Sequence, residues 1–225
     1  ITGVTKFSKV SIFSDLNQME DISMDADYDA ICGITEEELA GNFAKEIAVM
    51  AQKQGLTVEG CLSKLRETYD GYHFHPYGAG VYNPFSLLNA LKKREFDSFW
   101  FETGTPSFLV NKIRKTDFDA RKFTDHTLYS SKRNLSEYRA DNPDPVPLLY
   151  QTGYLTIAEY DPVGQMCTLM FPNAEVKYGF LESLAPAYMT GFSAGAGNNI
   201  FALRKHIENG DPDGVRDILT ALFAS

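Results

Sequence analysis

With 225 residues, 44% hydrophobic and 13% aromatic, the chain is long and apolar enough to bury a real core, which excludes a disordered tail. Its formal charge of -9 argues against a chain-wide nucleic-acid surface, because phosphate binding calls for positive charge. No apolar run approaches the roughly 20 residues of a membrane span, and no basic, apolar leader marks the chain for secretion. Cys32, Cys61 and Cys167 stand far apart in no metal-type pairing, which reads as reduced thiols and a cytoplasmic home.

Charge is uneven along the chain. Residues 1–70 hold six basic and thirteen acidic side chains, whereas residues 112–139 hold eight basic and four acidic. Any polyanion contact is expected in the second stretch.

The chain opens on Ile1-Thr2-Gly3-Val4-Thr5-Lys6, which reads as the end of a buried strand whose sheet lies elsewhere. Residues 7–30 keep no steady period and read as a loop. Thr35 and Glu38 form a capping box, and Leu39, Phe43, Ile47 and Met50 then predict one helix that stops at Gly55. Val58, Cys61, Leu62, Leu65 and Tyr69 predict its partner in a helical hairpin. Asp70-Gly71-Tyr72-His73-Phe74-His75-Pro76 breaks the pattern. Asn83-Pro84 starts a helix with Phe85, Leu87, Leu88 and Leu91 as its apolar side, and Lys92, Lys93 and Arg94 suit its C-terminal dipole. Thr105-Pro106 starts another, with Phe108, Leu109 and Ile113 buried.

Residues 120–145 read as a long polar loop with one short strand near Thr127–Ser130. A short helix around Pro147–Gln151 leads to a strand at Leu155–Tyr160, a turn at Asp161-Pro162-Val163-Gly164, and a returning strand at Met166–Phe171. Asn173 caps a helix with Val176, Phe180, Leu181 and Leu184 inward. Gly191–Gly197 reads as a linker, and a second helical hairpin closes the chain. Ile200, Leu203 and Ile207 line its first arm; Val215, Ile218, Leu219, Leu222 and Phe223 line the second. The order helix, helix, helix, two-stranded hairpin, helix over residues 84–189 is close to a winged helix.

Five phrases in one order carry a resemblance over essentially the whole chain. They are Thr2–Lys9 (TGVTKFSK), Tyr69–Phe74 (YDGYHF), Val81–Ser86 (VYNPFS), Trp100–Pro106 (WFETGTP) and Gln151–Leu155 (QTGYL). Together they resemble a bacterial family of AAA-ATPase-like proteins, P-loop ATPases related to archaeal and STAND-type ATPases. In that family a P-loop core precedes this segment and a PD-(D/E)XK nuclease-like domain commonly follows it. No G-x-x-x-x-G-K-[ST] occurs here, so the chain encodes no phosphate cradle of its own. The resemblance implies a fragment of a larger protein that uses ATP and magnesium. Its partners would then be the P-loop core and the nuclease-like domain of the same protein, and no cofactor is expected within this chain.

On that resemblance Thr2 falls at a nucleotide-sensor position, and Lys6 and Lys9 are weaker candidates for charge stabilisation. His73 and His75 lack the further ligands that zinc requires, so a structural turn is the better reading. Asp161 followed by Glu175-Val176-Lys177 matches a nuclease pattern formally. Asp161 sits in a turn, however, and Glu175 opens a helix, so the match reads as accidental. Lys112, Arg114 and Lys115 lie on or after a potential recognition helix, the place for phosphate contacts if DNA binds at all. The overall charge favours a solvated face or an internal dock. His206 and Trp100 are read as packing residues.

The expected fold is mainly α with a small β component. Residues 1–30 end the ATPase core, 31–80 form a helical lid, 81–190 form a winged-helix-like module, and 191–225 form a linker and helical hairpin.

Overall fold

A computed structural model describes residues 22–102, 107–116, 118–123, 125, 127–136, 144–188 and 196–223. Thr2, Lys6, Lys9 and the Gly191–Gly195 part of the expected linker lie outside them. The described residues are mainly helical with a small antiparallel sheet, an α+β architecture.

The expected first helix is two helices, α1 (Glu36–Asn42) and α2 (Ala44–Gln54). Thr35 and Glu38 close their capping box at the start of α1. Gly41 and Asn42 are poor helix formers, and the Asn42 amide donates to the Glu38 carbonyl at 2.9 Å, so Phe43 leaves helical geometry. Gly55, at φ 66°, terminates α2 where the sequence indicates. Next come α3 (Val58–Tyr69) and α4 (Pro84–Lys93), the latter capped by Asn83, whose side chain accepts from the amides of Phe85 and Ser86.

These four helices share one core. Leu39, Ile47, Met50, Cys61, Leu65 and Tyr69 pack with Tyr82, Leu87 and Leu91. The Lys53 ammonium of α2 reaches the Lys93 carbonyl at 3.1 Å and the Glu95 carboxylate at 2.8 Å, and Gln54 donates to the Arg94 carbonyl at 2.9 Å. Side chains of α2 thus satisfy the open carbonyls at the end of α4. The expected inward face of α4 needs correction, because Phe85 and Leu88 are exposed and Ser86, Leu87, Ala90 and Leu91 are buried. Phe108, expected to be buried, is 66% exposed.

Two further helices follow, α5 (Phe99–Glu102) and α6 (Ser107–Lys115). Then come β1 (Leu128–Ser131), α7 (Lys132–Ser136), α8 (Val146–Gln151), β2 (Thr156–Asp161), β3 (Met166–Met170) and α9 (Ala174–Tyr188). The strands form one antiparallel sheet in the order β1-β3-β2. The expected hairpin is present, turning at Asp161, whose carboxylate accepts from the amides of Val163 and Gly164. Its register, Thr156 opposite Met170 and Asp161 opposite Met166, carries an irregularity between Ile157 and Glu159. Phe123, Phe171 and Phe180 pack ring on ring beneath it, with centroids 5.4–5.8 Å apart.

The chain divides into two compact units, residues 1–180 and 181–225, with α9 beginning in the first. The second unit contains α10 (Ala196–Glu208) and α11 (Pro212–Phe223), joined through Gly210 at φ 65°. His206 Nδ1 lies 2.9 Å from the Asp211 carboxylate, which also accepts from the Gly214 amide at 3.0 Å. Ile207 and Leu219, expected to line this hairpin, are exposed, since two amphipathic helices alone can cover only one stripe of each other. No helix among the described residues is long and apolar enough to cross a membrane.

Candidate functional site

Four of the five phrases meet at one junction, which fastens the end of α3 to the sheet and to α9. Tyr69 is fully buried, and its hydroxyl donates to the Asp97 carbonyl at 2.9 Å and accepts from the Asp97 amide at 3.0 Å. Gly71 then adopts φ 98° and lies flat against Pro172; a Cβ there would stand 2.1 Å from the Pro172 carbonyl oxygen. Asn173 binds the same turn, donating from its side-chain amide to the Asp70 carbonyl at 3.0 Å. Its other side-chain atom, Oδ1, accepts from the Val176 amide at 3.1 Å, so one residue caps α9 and clamps the loop.

Two residues on, the His73 amide donates to Thr156 Oγ1 at 2.7 Å, and that hydroxyl donates to the His73 carbonyl at 3.1 Å. Short backbone pairings, Tyr72 with Val81 and Ile34 with Tyr82, close the loop on itself. Burial pushes the Tyr72 pKa up, against a smaller pull from the nearby Asn83 side chain.

The second pair of phrases enters through rings. Gly153, at φ 81°, presents its bare backbone to Tyr72 and Trp100. The Trp100 ring lies 4.8 Å from Tyr154 and 5.4 Å from Phe101, and Tyr154 lies 5.0 Å from Phe180. Burial pushes the Tyr154 hydroxyl up to about 12. Offset and edge-on ring pairs of this kind add on the order of 1 kcal/mol each beyond their buried area.

Three carboxylates surround the junction. Glu36 holds the Tyr82 hydroxyl at 2.6 Å and the Arg66 guanidinium at 2.7 Å. Burial pushes the Glu36 pKa up, but the Tyr82 and Arg66 bonds outweigh it, leaving the carboxyl below its usual range. Asp70 is raised by burial, against the pull of the Gly71 amide, and its buried Oδ1 has no hydrogen-bond partner. Glu175, only 3% exposed, accepts from the Trp100 amide at 2.8 Å and so caps α5 from the first turn of α9. Its second oxygen and the fully buried Ser86 hydroxyl complete no hydrogen bond. Burial raises the Glu175 pKa, with Asp97 adding to the rise, while the Trp100 amide and the nearby Ser86 hydroxyl hold it back.

Of the site residues the sequence singles out, Lys112, Arg114 and Lys115 lie on α6, away from this junction. Arg114 and Lys115 are exposed, and Leu109, Val110 and Ile113 fill the opposite face. His73 Nδ1 meets the Gly78 carbonyl at 3.0 Å, and His75 Nδ1 accepts from the Tyr77 amide at 3.2 Å, so both imidazoles serve the turn. Among the described residues no group of three or more His, Cys, Asp or Glu side chains is arranged to hold a metal ion. Asp161 and Glu175 occupy a hairpin turn and a helix start, in different surroundings. The role of Glu175 as a buried clamp escapes sequence reasoning, because an acid beside Lys177 in the first turn of a helix carries no sign of burial.

No family model and no solved structure matches the chain. The chain is similar to an uncharacterized protein encoded in the vnfD 5' region of Azotobacter chroococcum mcd 1, at 36% identity over 229 residues. That alignment takes in 100% of this chain and 41% of the relative, so the chain spans about two-fifths of its relative's length.

Proposed function

We propose that this chain is the lid and winged-helix portion of an AAA-ATPase-like protein, and that it passes the ATP state of a P-loop core to the rest of that protein. The observation that carries this reading is the junction. The loop that ends the lid (residues 31–80) is joined to β2 and to the start of α9 by side chain–backbone hydrogen bonds and a bare glycine face, and the buried Glu175 ties α9 to α5 in turn. A displacement at α3 would therefore reach β2 and α9 without being absorbed. Four of the five phrases that carry the family resemblance contribute residues to this connection.

The order of elements supports the winged-helix part. In that fold the chain runs helix, strand, helix, helix, strand, wing, strand, and residues 107–170 follow this order with the sheet arranged β1-β3-β2. On this reading the module begins at Ser107 and its wing is the turn Asp161–Gly164. Its third helix, α8, buries Val146, Pro147, Leu148 and Leu149 and carries no charge. A helix that reads a DNA groove needs polar side chains aimed at base edges. Lys112, Arg114 and Lys115 stand on the first helix of the module instead, which favours a protein-facing module over a duplex-binding one.

ATP and magnesium belong to the P-loop core on this account, and a nuclease-like domain would be its effector. Calorimetry of this chain with Mg-ATP should be flat, and joining it to the P-loop core should restore binding and hydrolysis. Thr2, as a sensor, would supply one hydrogen bond of about 1 kcal/mol, too little to offset the roughly 4 kcal/mol or more of immobilising a ligand. A micromolar dissociation constant for this chain by itself would overturn the assignment. An ATPase that ignored Thr2→Ala would remove Thr2 from the sensor role.

A further inference from the structure

Beside the junction lies a cleft of about 180 Å³ whose apolar wall is formed by Tyr72, Phe74, Leu135, Tyr150 and Leu155. The rings of Tyr72 and Phe74 are nearly parallel, 16° apart with centroids separated by 6.3 Å. A space of this size takes one side chain and falls short of the roughly 300–1,000 Å³ of pockets for whole organic ligands. Its rim is shared, through Ser23, Met24 and Ser136, with a wider opening of about 380 Å³. Two cations and one carboxylate line that opening, Lys132, Arg133 and Asp25. The Lys132 ammonium sits 4.6 Å above the Tyr160 ring, which holds it in place beside the rim.

An apolar slot that accepts one side chain, opening directly onto cations, is the arrangement by which an interface takes an anchor residue and its charged flank. We infer that this cleft docks a protein segment in which an aromatic or leucine anchor is flanked by acidic residues. The anchor enters between Phe74 and Tyr150, its flanking carboxylates face Lys132 and Arg133, and the Met24 thioether adapts to the shape of the anchor. Two cations with one carboxylate beside them are too few to hold the run of phosphates from which a nucleic-acid strand draws its affinity, which favours a protein segment as the occupant. Tyr150 and Gln151 come from α8, the helix with no surface for a DNA groove, and Tyr72, His73 and Phe74 come from the family phrase after α3. The inference concerns this chain alone and stands or falls apart from the ATPase reading.

The probe is a fluorescently labelled ten-residue peptide of aspartates and glutamates with one central phenylalanine. Its comparators are the Phe→Ala peptide, the same peptide with lysines for acids, and a ten-nucleotide oligothymidylate. Anisotropy titration should give the phenylalanine peptide a dissociation constant of about 10–100 µM, with the alanine and lysine peptides at least tenfold weaker. K132E combined with R133E should weaken binding at least tenfold. Ser136→Phe, which fills the shared rim, should do the same, while Asp25→Asn should tighten binding roughly two- to threefold, all with melting temperatures near that of the unaltered chain. If the variants unfold, competition between the four probes on the unaltered chain decides. No binding below about 1 mM, equal binding of the phenylalanine and alanine peptides, or preference for the oligothymidylate overturns the proposal.

Discussion

Replacing Gly71 by alanine is expected to lower the melting temperature of the first unit by roughly 6–12 °C, the equivalent of about 3 kcal/mol in a unit of this size. Two costs add. The φ of 98° strains any L-residue by on the order of 1–3 kcal/mol, and the new methyl meets a carbonyl oxygen 2.1 Å away. That oxygen belongs to the backbone of Pro172, pinned between β3 and α9, so the contact can be relieved only by moving the junction. Gly55→Ala is the control, because Gly55 has a comparable positive φ of 66° with nothing within 4 Å of its absent Cβ. It should cost only about 1 kcal/mol. Thermal unfolding of the two variants separates backbone strain from the close approach, and equal losses would show that Gly71 does not bear on Pro172.

Glu175 gives the second large effect. Glu175→Ala strands the Trp100 amide, leaves a cavity beside Ser86 and should cost about 2–4 kcal/mol. Glu175→Gln keeps an acceptor for Trp100 and gives the second terminal atom a proton to donate toward Ser86. Its effect depends on pH, and the direction follows from linkage. The folded pKa of Glu175 lies above its ordinary value of 4.5, so its native contribution is fully present below that value and is lost as pH rises through the folded pKa. Asp70, raised for the same first reason, acts in the same sense, whereas Glu36 is lowered and acts in the opposite sense. Glu175→Gln should therefore match the unaltered chain near pH 4 and exceed it in stability at pH 8. Denaturant titrations across pH 4–8 would show it, and parallel curves for the two proteins would contradict a raised Glu175.

Local signals on these residues made much of the fold legible. Thr35 with Glu38, Gly55, and Asn83-Pro84 each specify a helix end through a bond or backbone angle set by neighbouring residues, and each forms as expected. The turn at Asp161 brought the hairpin with it. What stayed hidden depends on partners distant in sequence. Phe85 and Leu88 fit the apolar stripe of α4, yet the side that meets α2 and α3 is set by Leu87, Ala90 and Leu91. The Gly71–Pro172 contact spans a hundred residues, so the sequence shows only that a glycine is present. In the sequence Glu175 is an acid that opens a helix, and acids are ordinary there; its burial against Trp100 and Ser86 exists only once α5 and α9 have met. The basic residues of α6 are visible as charge, but which of its faces is buried is set by Leu109, Val110 and Ile113 meeting partners distant in sequence.

Coupling through the junction is the central claim, and hydrogen exchange of the amides of Ile34, Tyr72, Val81 and Tyr82 tests it most directly. The Tyr72 and Val81 amides close the loop after α3, and those of Ile34 and Tyr82 tie its end to the segment before α1. On the proposed function, joining the chain to a P-loop core and adding Mg-ATP should change their protection together with that of the Trp100 amide, which Glu175 holds. In this chain by itself, Mg-ATP should leave all five unchanged. Bound and hydrolysed ATP with no change at any of the five amides would contradict the account.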